Sequence, residues 1–168
     1  MKRLVILLIL TIVNIYLRAY GTEYVTDGLL VSQSDNSYSF TTTEMRQAEN
    51  TLVKSYEMVD WDTMWSDYGK DRSTVRKLED FRSYIDTAFQ GIDNLPSRLK
   101  GRGLWLDYYV KRDGGIICKA IRTYEYDLLK YVSTDMIKQM INVLCEYKFK
   151  ESSVTEDYCL HLHCVARF

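Results

Sequence analysis

The segment LWLDYYVKRDGGIICKAIRT, residues 104–123, decides the fold, because apolar residues alternate ahead of an Asp-Gly dipeptide and a second apolar run follows it. A period of two is typical of a β-strand with one buried face. Asp113-Gly114 supplies the turn, since both residue types tolerate the positive φ that hairpin turns require. The segment therefore predicts a β-hairpin, with strands at 104–110 and 116–123.

The residues after this hairpin predict one helix and one strand. Ser133 or Thr134 is a helix cap, and Asp135 is favourable in the first turn. Apolar residues at helical spacing then continue to Tyr147. The last stretch, Tyr158 to Phe168, alternates again and predicts a final strand. Residues 104–168 thus predict a ββαβ unit.

The residues before the hairpin predict mainly helices. Thr41 and Glu44 have capping-box spacing and begin a predicted helix from about 42 to 59. Ser73 caps a second predicted helix that ends at Gly91. A short hairpin is predicted from the loose alternation of Tyr24 to Val31, the polar turn cluster at Ser32 to Ser37 and a return strand at Tyr38 to Phe40. The predicted fold class is α+β: N-terminal helices within about 41–95, followed by a ββαβ unit with a small antiparallel sheet, together forming a single domain over 22–168.

The amino-terminal residues predict export. Lys2 and Arg3 precede an apolar run, and Ala19 and Gly21 place small residues where signal peptidase reads, so residues 1–21 are predicted to be a cleaved signal peptide. The alternative is a retained anchor, but the apolar run from Leu4 to Leu17 would form a helix that spans only about 21 Å of a bilayer core of roughly 30 Å. The predicted location is periplasmic or secreted, with no stable membrane span after cleavage.

Charge and composition exclude some functions. Removal of residues 1–21 leaves 19 basic and 23 acidic residues, a formal charge of −4, which argues against nucleic-acid binding. Aromatic residues make up 13% of the chain, including 14 tyrosines, which is typical of a folded chain and not of a linker. No G-x-S-x-G elbow, phosphate-binding glycine loop or HExxH helix is present. The sequence therefore favours a non-enzymatic protein.

The element order of residues 104–168 resembles the C-terminal domain of TonB-type energy transducers. The resemblance is carried by the strand that runs into the glycine turn, LDYYVKRDGGI at 106–116, and by the run EYKFK at 146–150 at the end of the helix. It implies a ββαβ fold that recognises a partner through a sheet edge. Pro96 is the only proline in the sequence, so the chain lacks the proline-rich spacer with which a transducer crosses the periplasm.

The four cysteines are disulfide candidates. In an exported chain an even number of cysteines predicts disulfide bonding, and four cysteines allow three complete pairings. The pair Cys159 and Cys164 is disfavoured, because residues five apart in one extended strand are too distant. The other pairings stay open among Cys118, Cys145, Cys159 and Cys164.

The final strand also carries a candidate metal site. Cys159, His161 and His163 occupy alternate positions, so their side chains share one face of the strand. Thiolate and imidazole are the ligands that zinc prefers. The alternative is the outer face of an amphipathic strand, with no cofactor and with Cys159 in a disulfide.

Together these observations predict an exported, non-enzymatic binding module of the cell envelope. Its partner is predicted to be an envelope protein recognised through a sheet edge, and a homodimer through the same edge is the competing arrangement. The alternative functions are a Cys/His metal-binding protein and a secreted enzyme whose site has no local motif.

Overall fold

A computed structural model describes residues 21–55, 57–60, 72–111, 113–149 and 158–168; for 57–60, 72–78 and 158–160 it describes only the backbone. The predicted signal peptide lies outside these residues, apart from Gly21. In chain order the elements are β1 (Thr22–Thr26), β2 (Leu29–Ser34), β3 (Ser37–Thr42), α1 (Thr43–Ser55), β4 (Glu57–Asp60), α2 (Arg72–Gln90), α3 (Leu95–Arg98), β5 (Gly103–Val110), β6 (Ile116–Tyr124), α4 (Thr134–Glu146) and β7 (Tyr158–Arg167), with a 3₁₀ turn at Leu128–Lys130.

One sheet contains all the described strands, in the order β1-β2-β3-β6-β5-β7-β4. Five of the six pairings between neighbouring strands are antiparallel, and the sixth, between β4 and β7, is parallel. The three amino-terminal strands form a meander, and β3 joins it to the rest of the sheet by pairing with β6. The final strand β7 lies inside the sheet, between β5 and β4.

The predicted fold class is wrong in its arrangement. The described chain opens with three strands that belong to the main sheet, whereas the sequence predicted only a short separate hairpin before the N-terminal helices. The sheet is a seven-stranded mixed sheet among the described residues and not the small antiparallel sheet of a ββαβ unit. The error has two causes: β1 to β3 are short and rich in serine and threonine, so their local pattern is weak, and the β3–β6 pairing joins distant residues that no local periodicity reveals.

Several local predictions are confirmed. The strands predicted at 104–110 and 116–123 are β5 and β6, and the final predicted strand is β7. Ser133 caps α4 by accepting a hydrogen bond from the Met136 N–H at 3.3 Å. The helix predicted over 42–59 is shorter, because α1 ends at Ser55 and residues 57–60 form β4. No described helix has the length and apolar composition needed to cross a bilayer.

The main core lies on the sheet face that α2 and α4 cover. Phe81 of α2 is fully buried and packs against Tyr108, Tyr147 and Phe149, with ring centroids 4.9–5.3 Å apart. Alternate residues of β5 point into this core: Leu104, Leu106, Tyr108 and Val110. The remaining residues of β5 therefore point to the opposite face.

Candidate functional site: the open face and free edge of the sheet

The described elements cover only part of the sheet face opposite the main core. We call it the open face; on β5 it carries Trp105, Asp107 and Tyr109. Helix α1 covers one end of it, where Leu52 packs on Tyr109 and on Ile117 of β6. Beyond α1 the face is exposed to solvent, since Trp105 is 38% and Tyr124 46% exposed. A polar and aromatic surface therefore remains accessible.

A buried carboxylate lies at the centre of the open face. Asp107 Oδ2 is 2.6 Å from Arg122 Nη2, and Asp107 Oδ1 is 2.5 Å from His161 Nε2. Burial raises the pKa of Asp107, but the hydrogen bond with His161 and the charge of Arg122 outweigh it, so this pKa lies below its usual value. Asp107 therefore joins three neighbouring strands, β6, β5 and β7, through an ionised side chain.

A second chain of polar contacts fastens α1 to the sheet. The Tyr109 ring packs on the His161 ring, with centroids 4.9 Å apart, and its hydroxyl donates to Glu49 Oε1 of α1 at 3.2 Å. Glu49 Oε2 is in turn 3.6 Å from Arg46 Nε. Burial and the Glu49 charge raise the pKa of Tyr109 well above its usual value, so this phenol stays protonated. These contacts thus connect α1 to β5 and β7 at the covered end of the open face.

A pocket of about 320 Å³ lies on the open face over the amino-terminal strands. Four serine side chains on β2 and β3 line it, together with charged residues on either side: Ser32, Ser34, Ser37, Ser39, Glu23 and Arg122. Glu23 Oε2 accepts a hydrogen bond from Ser32 Oγ at 2.9 Å and is 3.9 Å from Arg46 Nη2. The pocket is therefore lined by hydroxyl groups between one carboxylate and one guanidinium.

Strand β1 ends the sheet formed by the described residues, and none of the described strands pairs with its outer edge, which we call the free edge. The turn between β1 and β2 has φ of 48° at Asp27 and 75° at Gly28, which is type I′ geometry. The residues that flank such a two-residue turn, Thr26 and Leu29, form a hydrogen-bonded pair, and bonding alternates along the strand from there. The backbone N–H and C=O groups of Glu23 and Val25 consequently point away from β2, and no described strand accepts from them or donates to them.

The structure places His161 and His163 on one face of β7, which is the open face, and each of the two rings lies beside another side chain. His161 Nε2 is bonded to Asp107, and the His163 ring lies 6.1 Å from the Trp105 ring. In the part of the chain whose side chains are described, no three His, Cys, Asp or Glu groups gather as a metal would require. The Cys159 side chain lies outside that part, so the zinc site with Cys159, His161 and His163 stays a prediction.

Three of the disulfide candidates are free thiols: Cys118, Cys145 and Cys164. Burial raises the pKa of Cys118 well above its usual value and raises that of Cys164 to about 12. Burial also raises the pKa of Cys145, although a hydrogen bond from the Cys118 backbone opposes the shift. These thiols are therefore protonated, and the structure contains none of the predicted disulfides among Cys118, Cys145 and Cys164.

Sequence reasoning did not single out Asp107 and Arg122 as functional residues. The sequence does contain a signal for them: in each hairpin strand, the charged residue stands at a position that points away from the core. Counting back from the turn would have placed Arg122 opposite Leu104 and not opposite Trp105, because a β-bulge shifts the register between Asp107 and Tyr108. The third partner, His161, comes from β7, whose place in the sheet no local pattern fixes.

No protein-family model matches the chain, and no curated protein matches it. Among solved structures, the chain is similar to a DUF5043 family protein from Bacteroides uniformis ATCC 8492. The two share 15% sequence identity over 89% of this chain and 90% of that chain, with a TM-score of 0.48.

Proposed function

We propose that the protein is an exported, non-enzymatic binding module that takes up an extended segment of a partner protein as an additional strand beside β1. The observation that carries the proposal is the free edge, with the backbone groups of Glu23 and Val25 directed outward. Strand addition uses such backbone groups for affinity and the alternating side chains for specificity. Export rests on the predicted signal peptide at residues 1–21.

The exposure of β1 supports this use of the edge. Folded proteins usually protect an edge strand with proline, inward charges, a bulge or a covering element. Strand β1 has no proline and pairs with β2 without a register shift. Two of its five residues are exposed large apolar side chains, Tyr24 at 42% and Val25 at 59%. An incoming strand would cover both.

The side chains of β1 define the partner's chemistry. Glu23 and Val25 point to the open face, and Tyr24 points to the other face. The Glu23 side chain is 53% exposed, so a basic residue beside it would add an ion pair. We therefore expect an extended segment that places a basic residue beside Glu23 and apolar residues beside Val25 and Tyr24.

Photo-crosslinking from the edge tests the proposal. A photoreactive residue placed at position 25 in the exported protein should crosslink to an envelope protein, which mass spectrometry of the product identifies. The matched control is position 53, where another exposed valine, at 49% exposure, lies on α1 away from the edge. Equal crosslinking from both positions would contradict edge recognition, and a crosslink to a second copy would identify a homodimer.

A backbone variant then separates strand addition from ordinary surface contact. Val25→Pro removes an outward N–H that β2 does not use, so the hairpin should survive, as proline is tolerated at such edge positions. Binding of the crosslinked partner should fall at least about tenfold, since a lost hydrogen bond and a clash with the incoming strand act together. Val25→Thr keeps the N–H and should bind within about threefold of wild type. Equal affinity of the proline and threonine variants would refute strand addition.

A further inference from the structure

The pocket on the open face has exposed aromatic residues beside it. Strand register places Glu23, Ser32, Ser39, Arg122 and Trp105 side by side across five strands. Tyr124 lies two residues beyond Arg122 on the same strand and face, and Ser37 is its register partner on β3. The Trp105 and Tyr124 ring centroids are 5.6 Å apart and the rings meet at 84°. A row of hydroxyl groups thus leads directly to an exposed aromatic pair.

The charges around this pocket are already compensated. Arg122 Nη2 is bonded to Asp107, and Glu23 accepts a hydrogen bond from Ser32 and lies near Arg46. An anion such as phosphate would have to compete with Asp107 for the guanidinium and would also meet the Glu23 carboxylate. The pocket therefore fits an uncharged ligand with many hydroxyl groups better than an anion.

Serine hydroxyls both donate and accept, and the Glu23 carboxylate accepts, so together they satisfy the mixed donors and acceptors of neighbouring sugar hydroxyls. Aromatic rings supply a rigid apolar surface for the C–H face of a sugar ring. We propose that the open face binds a neutral oligosaccharide, with one sugar ring on Trp105 and Tyr124 and the next over Ser32 and Ser39. This site goes beyond the proposed strand addition, since it is formed by side chains across five strands, and Glu23 is the one side chain that both proposals use.

Titration calorimetry with defined saccharides tests the site. The ligands are mannotetraose, xylotetraose, cellotetraose, laminaritetraose and chitotetraose, each at millimolar concentration, with inorganic phosphate as the anionic alternative. We expect at least one tetrasaccharide to bind and phosphate not to bind. The variants Trp105→Ala and Tyr124→Ala should each weaken that binding at least about tenfold, because each removes an aromatic contact surface.

The matched control is Tyr24→Ala, which removes a tyrosine of nearly equal exposure from the other face of the sheet: 42% for Tyr24 against 46% for Tyr124. This variant should bind the saccharide with wild-type affinity. The absence of binding by all five saccharides, binding of phosphate in their place, or equal loss in the Tyr24 and Tyr124 variants would each overturn the proposal. Because Trp105 and Tyr124 lie on β5 and β6, these variants leave the free edge of β1 intact, and its function is tested separately.

Discussion

Replacement of Arg122 by methionine should destabilise the protein through Asp107. The Asp107 side chain is 8% exposed, and its oxygens are bonded to Arg122 Nη2 at 2.6 Å and His161 Nε2 at 2.5 Å. Arg122→Met keeps much of the aliphatic stem but removes the guanidinium, so a buried carboxylate loses its permanent cation. An uncompensated buried charge is among the costlier defects in a folded protein.

The structure sets the magnitude. Breaking a fully buried ion pair costs about 3–5 kcal/mol, and a hydrogen bond to a charged group contributes about 1.5–3 kcal/mol. The Arg122 side chain is 38% exposed, so solvent screening reduces the cost from that of a fully buried ion pair toward that of a single hydrogen bond to a charged group. We expect a loss of about 2 kcal/mol in the free energy of unfolding, or a fall in Tm of about 4–8 °C for a domain of this size.

Urea and thermal unfolding at pH 7 measure this loss, with Arg167→Met as the control. Arg167 is an exposed arginine on the open face of β7, opposite Gly103, and its replacement should leave Tm within about 1 °C of wild type. The double variant Asp107→Asn/Arg122→Met should lose less than the sum of the single variants, because the two residues form one interaction. Strict additivity, or an Arg122→Met variant as stable as the control, would refute the reasoning.

Further predictions follow from the Asp107 pKa, from a glycine and from the buried thiols. Because the pKa of Asp107 is lowered in the folded state, the ionised side chain stabilises the fold above its unfolded pKa near pH 4, and this stabilisation is lost as the pH falls through the folded pKa. The free energies of unfolding of wild type and Asp107→Asn should therefore converge between pH 7 and pH 2. A constant difference between the two would contradict this. Gly114→Ala should destabilise far more than Gly101→Ala, because both glycines have positive φ but only at Gly114 would a Cβ meet the Phe149 carbonyl oxygen; equal Tm values would exclude that clash. Iodoacetamide at pH 8 should leave Cys118 and Cys164 unmodified in the folded protein and should label both in urea, because burial keeps these free thiols protonated. Rapid labelling of the folded protein, or a disulfide-linked Cys118 peptide in the mass spectrum, would contradict this.

Two Asp-Gly dipeptides show how far local sequence reasoning reaches. Asp113-Gly114 correctly predicts the β5–β6 hairpin, where Gly114 has φ of 80° and its N–H donates to the Lys111 carbonyl. Asp27-Gly28 is the same dipeptide and forms the β1–β2 turn, but weak alternation around it hid the turn within a predicted strand. Both places thus contain the turn signal, but only Asp113-Gly114 is flanked by clear apolar alternation, so only that hairpin turn could be predicted.

The candidate site could be predicted less well than the hairpin. Alternation along β5 separates Trp105, Asp107 and Tyr109 from the core residues, and alternation along β7 separates His161 and His163 in the same way. Their convergence depends on long-range pairing: β7 lies beside β5, and β6 pairs with both β5 and β3. Such pairings are determined by packing of the whole sheet, which local periodicity does not report.

The open face owes its properties to the unequal covering of the two sides of the sheet. Helices α2 and α4 cover one face, whereas on the other face α1 reaches only the part around Tyr109 and Ile117. A face left in water is normally polar, and the serines of β2 and β3 follow that rule. Single exposed apolar residues are ordinary, but Trp105 and Tyr124 pack on each other beside those serines. The Asp107 ion pair holds Arg122 between them and the pocket, so this side chain is already oriented before any ligand arrives, and binding would not have to order it.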